Sequence, residues 1–461
     1  MKKHKLLGVI SILAVGLLAV GCTSNEISKD EVVDTQPQVE LLEIADLSDA
    51  WDTVLNNSTN AFIGGHPIDE GFLSYVTGTY GVEVMQEIAS YAHFESPDIW
   101  YKMTGRSIHV LWYDYCKLTG LENYTFDNIY EFDTASSEEI VLDFTGDLTL
   151  AQGVATTIYM DHQVNGISDC FSKNLLKEMN SVDIMMINNE FSYTNRGEAI
   201  PGKAYTFRAD PSRVNLLDEL GVDLVSIANN HVYDYGPDGM YDTLATLDEK
   251  GLPYAGAGYN LDDAMRPVYL ICNGQKIAIC AATQIERSYT YTKQATADMP
   301  GVLKTLKSEL FVKEIKEARE NADKVIVFVH WGTEGTMRYG SDQVTLARSF
   351  VEAGADAIIG GHTHCLQAVE YIDDVPVYYS LGNFFFSSTS NMPANYDTGM
   401  AQLRIKADGN IEAYFLPCKF TAGHLTLLDN EDGSDIYNTL NSISSTAYID
   451  ETGMISKMQT N

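Results

Sequence analysis

A short apolar run, Ala357-Ile358-Ile359, leads into Gly360-Gly361-His362-Thr363-His364. Imidazole is the commonest metal-binding side chain. Two histidines one residue apart on a loop after a strand can aim at one point, or at two points a few ångströms apart. The two glycines would let the backbone turn sharply and approach closely. Five more apolar runs end in groups of the same kind: Thr145-Gly146-Asp147, Asn188-Asn189-Glu190, Ala228-Asn229-Asn230-His231, His330-Trp331-Gly332-Thr333-Glu334 and Leu381-Gly382-Asn383. This set of oxygen and imidazole donors, without thiolate, suits divalent Mn, Zn or Fe. Two such ions sharing a carboxylate can bind a phosphate and activate water for in-line attack. Spacing alone leaves one ion, or none, open.

Several nearby residues have two readings. Asp234 follows His231 by three positions and, on a helix, would face the same side and orient the imidazole; otherwise it caps a helix near Gly236-Pro237. Lys203, Arg208 and Arg213 are cations in a chain short of them, and Arg208 could clamp an anionic substrate or pair with a local acid. Phe384-Phe385-Phe386 reads as core rather than as a ligand platform.

The elements that would carry these groups alternate. Strands are expected at Ile140–Phe144, Val182–Ile187, Val222–Ile227, Val325–Val329, Ala357–Ile359 and Val375–Tyr379. Helical stretches lie at Cys170–Met179, Arg213–Leu220, Gly239–Lys250 and Lys304–Asn321. Such alternation implies parallel strands with helical crossovers, which gather ligands beyond the carboxyl ends of the strands. Val182-Asp183, Val222-Asp223 and Ala355-Asp356 begin three strands alike. Asn273-Gly274 and Asp408-Gly409 mark hairpins. Residues 50–135 read as a small, mostly helical N-terminal region without chemistry, in which His66, His93 and His109 join no cluster. The main α/β domain is placed at 138–390, a closing hairpin at 391–430 and a loose polar tail at 431–461.

The chain has 461 residues, 45% of them hydrophobic, enough for one large α/β domain with extensions or for two domains. Its net charge of −34 argues against nucleic acid, whose phosphates it would repel. The start, Met1-Lys2-Lys3-His4-Lys5 followed by apolar Leu6 to Val20, has the form of a signal peptide. Ala19-Val20-Gly21-Cys22 resembles a bacterial lipobox, with Ala19 where leucine is commoner. The expectation is a lipid on Cys22, an acidic flexible tether over 23–49, and an extracytoplasmic protein held to the membrane by acyl chains. Cys116, Cys170, Cys272, Cys280, Cys365 and Cys418 are scattered and read as buried small hydrophobes, although their compartment would permit disulfides.

Together the strand-end blocks, in order over about Glu139 to Phe386, resemble the CapA/PgsA capsule-synthesis proteins of the calcineurin-like metallophosphoesterase superfamily. The resemblance implies a four-layer α/β/β/α sandwich and two divalent metal ions. It implies an association with poly-γ-glutamate or another polyanionic capsular polymer, and with the membrane-bound proteins that make and export it. Position by position, it puts Asp147 and His364 on the first metal, and Asn230, His330 and His362 on the second. Glu190 then bridges, standing where the superfamily has Asp, and His231 contacts phosphate or protonates the leaving oxygen. The superfamily's first-strand Asp-x-His is here Asp147-Leu148-Thr149, so the first site lacks a histidine. Glu334 is a candidate replacement and, with Arg208 and Asn383, would face the substrate. A metal-dependent phosphoesterase and a non-catalytic accessory that binds polymer or synthase are both expected readings, with a solute receptor as a third.

Overall fold

The computed structural model describes residues 70–90, 97–105, 128–297, 299–387 and 395–458, with Leu111, Asp114, Tyr115, Leu118 and Thr119 between the second and third spans. The signal segment with Cys22, the tether, Cys116 and the histidines at 66, 93 and 109 lie outside them. Helices Glu70–Tyr80, Val82–Ser90 and Pro97–Thr104 form the described part of the N-terminal region. Phe72, Val76, Met85, Ile88 and Trp100 are fully buried there, and the rings of Phe72 and Trp100 lie 5.8 Å apart.

Two sheets carry the rest. In the ten-stranded sheet, Glu139–Leu148 runs parallel to Ile184–Asn189, which runs parallel to Leu224–Ser226. In the seven-stranded sheet, Gln275–Thr283, Lys324–His330, Ala357–Gly361 and Val375–Tyr378 are parallel in that order. Between the sheets lies an apolar layer that includes Leu142, Phe144, Met186, Ile279, Phe328 and Ile359. Full burial of side chains of this size contributes about 1.5–3 kcal/mol each. Helices Lys173–Ser181 and Gly236–Lys250 cover the outer face of one sheet, through Leu175, Met179, Leu244 and Leu247. Helices Glu309–Asn321 and Ser341–Ala353 cover the other, through Phe311, Ile315 and Phe350. The result is the four-layer α/β/β/α sandwich.

The repeated aspartate at strand starts has a structural purpose. Asp183 accepts the amide of Val141 at 2.8 Å, Asp223 that of Met185 at 2.9 Å and Asp356 that of Val325 at 2.7 Å. Asp323 does the same for Lys276 at 2.7 Å. Each carboxylate thus ties the start of its own strand to the neighbouring one and fixes the register on which the strand ends depend.

Three expectations need correction. Residues 213–220 form a 3-10 turn, Pro211–Asn215, followed by a single helical turn, Leu216–Glu219, because Pro211 fits the first position of a short helix capped by Asp210. The helix expected from Lys304 begins at Glu309, since Lys304 is buried and donates to the carbonyls of Glu286 and Ser288. Residues 431–458 are not a loose tail. Helix Ser434–Ile443 buries Ile436, Tyr437 and Leu440, and Met454–Lys457 pairs with the strand Ile411–Thr421. The spaced apolar residues of a mostly polar segment carry that packing.

Candidate metal centre

The carboxyl ends of the two sheets meet at one place. The ten-stranded sheet brings Asp147, Glu190 and Asn230, and the seven-stranded sheet brings His330, His362 and His364. Pairing between Glu139–Leu148 and Ile184–Asn189 slips between Phe144 and Asp147, an irregularity that re-aims Asp147. Gly360 and Gly361 do not supply the expected turn, since both lie in the strand. They permit close approach: a Cβ on Gly360 would stand 2.2 Å from the carbonyl oxygen of Tyr379, and one on Gly361 2.9 Å from Oδ1 of Asp147. The left-handed positions are the histidines themselves, at φ 93° for His362 and 59° for His364. Non-glycine residues held there cost on the order of 1–3 kcal/mol each, and such strain gathers at functional sites.

Two groups of donor atoms result, one of Asp147, Glu190 and His364 and the other of Glu190, His330 and His362, each with its atoms within 4.8 Å of one another. Glu190 belongs to both. Asn230 joins the second, its Oδ1 being 2.7 Å from Nε2 of His330, and Nδ1 of His362 is 3.1 Å from the same nitrogen. Asp147 lies 3.4 Å from Nδ1 of His364, which is also 2.7 Å from Oδ1 of Asn383. Glu190 is fully buried, and neither carboxylate oxygen has a hydrogen-bond partner among the described residues. A buried carboxylate left so is costly unless a cation completes it.

Charge within the cluster follows from this crowding. Burial alone would raise the Asp147 carboxyl, but His364 and His330 outweigh it and hold the group below its ordinary value. Glu190 is pushed well above the usual carboxylate range, first by burial and then by the negative charges of Asp147 and Glu334. Burial takes His330 down to about 3, against the pull of Asp147, and takes His362 down as well, helped by the neighbouring histidines. Neutral imidazoles are the form that binds metal.

Beside the ligands, Nδ1 of His231 is 2.7 Å from Oδ2 of Asp234. Asp234 does not cap the following helix, whose N-cap is Tyr235. Burial lowers the pKa of His231 although Asp234 opposes it. Glu334 is exposed and stands 3.9 Å from Nε2 of His362, beside the second group of donors rather than in the place of the missing first-site histidine. Thr149 fills that place and is buried, its hydroxyl accepting from the amide of Ala151 at 3.2 Å. Of the three nearby cations, Arg213 pairs with Asp161 and Lys203 with Asp234, while the guanidinium of Arg208 lies 4.6 Å over the ring of Tyr235. No carboxylate pairs with Arg208 among the described residues.

Other contributors were not read from the sequence. Asn188 donates to Asp147 at 2.8 Å, and Asn229 donates to Asn188 at 3.0 Å. The doubled asparagines at two strand ends were the available signal. Phe207 lies 4.4 Å from the ring of His231 and Phe386 5.2 Å from that of His364. Phe384 and Phe385 are core, packed on Phe171. Cys170, Cys272, Cys280 and Cys418 are buried free thiols, and Cys365 is a half-buried one.

A family model described as "Bacterial capsule synthesis protein PGA_cap" matches residues 141–388. The PGA biosynthesis protein CapA of Bacillus subtilis (strain 168) is 35% identical over 208 residues, 45% of this chain and 53% of that protein. The capsule biosynthesis protein CapA of Bacillus anthracis is 32% identical over 219 residues, 47% of this chain and 52% of that one. The chain therefore spans about half the length of these relatives. The crystal structure of 5'-nucleotidase from Candida albicans SC5314 aligns over 62% of this chain and 53% of its own, at 11% identity and a TM-score of 0.33.

Proposed function

The chain belongs to the bacterial capsule synthesis protein family PGA_cap, and from that we propose that it is a cell-surface accessory of capsular or poly-γ-glutamate synthesis whose strand-end site holds two divalent ions and hydrolyses a phosphoester. Its partners would be the polyanionic polymer and the membrane-bound synthase and export proteins, with Cys22 as the lipid anchor. A mature N-terminus beyond Cys22 without lipid, read by mass spectrometry, would remove the anchor.

The observation that carries the metal reading is Glu190, a buried carboxylate shared by two donor groups, with neither oxygen hydrogen-bonded among the described residues. Asp147, Glu190 and His364 would hold one ion, and Glu190, Asn230, His330 and His362 the other. When bound, the ions supply charge neutralisation of the phosphate and activation of water. His231, oriented by Asp234, delivers a proton to the leaving oxygen, and Arg208 meets substrate anion from its seat on Tyr235. Elemental analysis of the protein beside its Asn230→Ala/His362→Ala variant tests this. About two ions per chain, lost in the variant, support the pair, and none in either protein after supplementation overturns it.

Thr149 favours a second reading, in which a weakened first site serves binding of polymer or synthase without catalysis. Metal-loaded protein that turns over a phosphoester at about 1 per second or faster would rule it out.

A further inference from the structure

Lys203 is a residue that neither the sequence reading nor the resemblance assigned a role, and it lies behind the site. Its side chain is 8% exposed, and Nζ stands 2.5 Å from Oδ1 of Asp234 and 3.3 Å from Oε1 of Glu286. Nζ also donates to the backbone carbonyl of Asn230. The hydroxyl of Thr292 reaches that same carbonyl at 2.9 Å, and the amide of Phe207 reaches Oδ2 of Asp234 at 2.7 Å. One ammonium therefore joins three segments: the loop after Glu190, the turn that carries Asn230, His231 and Asp234, and the loop around Glu286.

A lysine on the surface would gain little from such pairs. Here the carboxylate it meets is fully buried and also holds Nδ1 of His231. With Oδ1 engaged by Lys203, Oδ2 faces the imidazole and the amide of Phe207, and these three partners together hold the carboxylate against rotation about its stem. The ring of His231 is then fixed on one side by Asp234 and on its face by Phe207. Its Nε2 has no partner among the described residues.

We propose that Lys203 is a positioning residue for leaving-group protonation: by gripping Asp234 and the Asn230 carbonyl together, it holds the imidazole of His231 at the leaving oxygen. The inference rests on the hydrolase reading above. In the step it serves, water adds its oxygen to phosphorus and the bond from phosphorus to the leaving oxygen breaks. Starting as an imidazolium with Nδ1–H given to Asp234, His231 passes its Nε2 proton to that oxygen and becomes the neutral imidazole, and a proton lost by the water then restores the imidazolium.

The effect must depend on how much the leaving group needs a proton. Nitrophenolate leaves readily without one, whereas phenolate does not. The experiment compares p-nitrophenyl phosphate with phenyl phosphate, using the metal-loaded protein, its Lys203→Met and Lys203→Arg variants, and His231→Asn, with metal content measured on every sample. General acid catalysis contributes typically 10²–10⁴-fold. Lys203→Met is expected to lower kcat for phenyl phosphate by about 10–100-fold. For p-nitrophenyl phosphate it should change kcat by less than about threefold, with KM and metal content unchanged. Lys203→Arg, which keeps the charge, should recover part of the loss, and Lys203→Met should add little in a His231→Asn background. Equal losses on both esters, or no loss on either, would overturn the proposal. So would loss of metal from Lys203→Met, since the lysine would then act on the Asn230 ligand alone. If Lys203→Met does not fold, the same split read on Lys203→Arg decides. A wild-type chain that loads metal yet turns over neither ester ends the hydrolase reading itself, and this proposal with it.

Discussion

Nε2 of His330 lies 3.4 Å from Oε1 of Glu190, and both groups are buried without access to water. The imidazole is held neutral by burial and the carboxyl is raised by burial, so neither supplies the charge the other needs. A cation between them resolves both, which gives a test by stability. Glu190→Ala should stabilise the protein in chelator by about 1–3 kcal/mol, because an unpaired buried acid is removed. The same change should abolish the stabilisation that added Mn or Zn gives the wild type, about 2.7 kcal/mol at a hundredfold excess over Kd, and with it the rise in melting temperature. Thermal melts with and without metal read both signs, and a variant less stable than wild type in chelator would contradict this account.

The gathering of the strand-end donors was legible because ligand types follow apolar runs in order, and because parallel strands bring their carboxyl ends together. The mistaken parts are those where tertiary contacts override local pattern. Gly360 and Gly361 look like a turn, yet they are strand residues made small by Tyr379 and Asp147, and the left-handed bends fall on His362 and His364. Lys304 fits a helical run, but the carbonyls of Glu286 and Ser288, in the preceding loop, claim its ammonium. Lys203 looks like any surface cation, and only the fold places it against Asp234.

Glu314 gives a pH-dependent prediction away from the metal centre. It is buried on the helix Glu309–Asn321, against the thiol of Cys280, and burial raises its pKa well above the ordinary value. A carboxyl raised in the folded state adds stability that is complete below the unfolded value of about 4.3 and is lost as pH rises toward the folded one. Glu314→Gln should therefore match the wild type near pH 4 and exceed it by about 1–3 kcal/mol at pH 8. Denaturant unfolding at the two pH values checks this, and a gap that closes as pH rises would reverse the sign.

The aspartates at strand starts should matter for stability and not for the metal. Asp356 accepts the amide of Val325 and the guanidinium of Arg319, the latter at 2.6 Å. Asp356→Ala leaves the buried amide of Val325 unpaired and takes the carboxylate from Arg319, which keeps the carbonyls of Ala322 and Asp323, and should cost about 1–3 kcal/mol. Metal content at saturation should stay at the wild-type value. Loss of metal in a variant that remains folded would show that register at the strand start controls the ligands at its far end.

Glu370 gathers donors where the C-terminal segment meets the seven-stranded sheet, beside the hydroxyls of Ser444 and Thr446, which accept the amides of Val369 and Tyr371. The carboxylate of Glu370 accepts the amide of Ser445 at 2.8 Å, the amide and hydroxyl of Thr446 each at 2.6 Å, and the hydroxyl of Tyr339 at 3.0 Å. Four donors share two oxygens, an amide and a hydroxyl on each, so in Glu370→Gln the NH2 group faces a backbone amide that can only donate, whichever way it is turned. The expected cost is about 1–3 kcal/mol, felt first at the junction between the helix Ser434–Ile443 and the strand Ala447–Ile449. Limited proteolysis should cut Glu370→Gln near Ser444–Thr446 at a protease level that leaves the wild type whole, while metal content stays unchanged. Equal resistance of the two proteins would mean that the buried Ile436, Tyr437 and Leu440 hold the segment without the carboxylate.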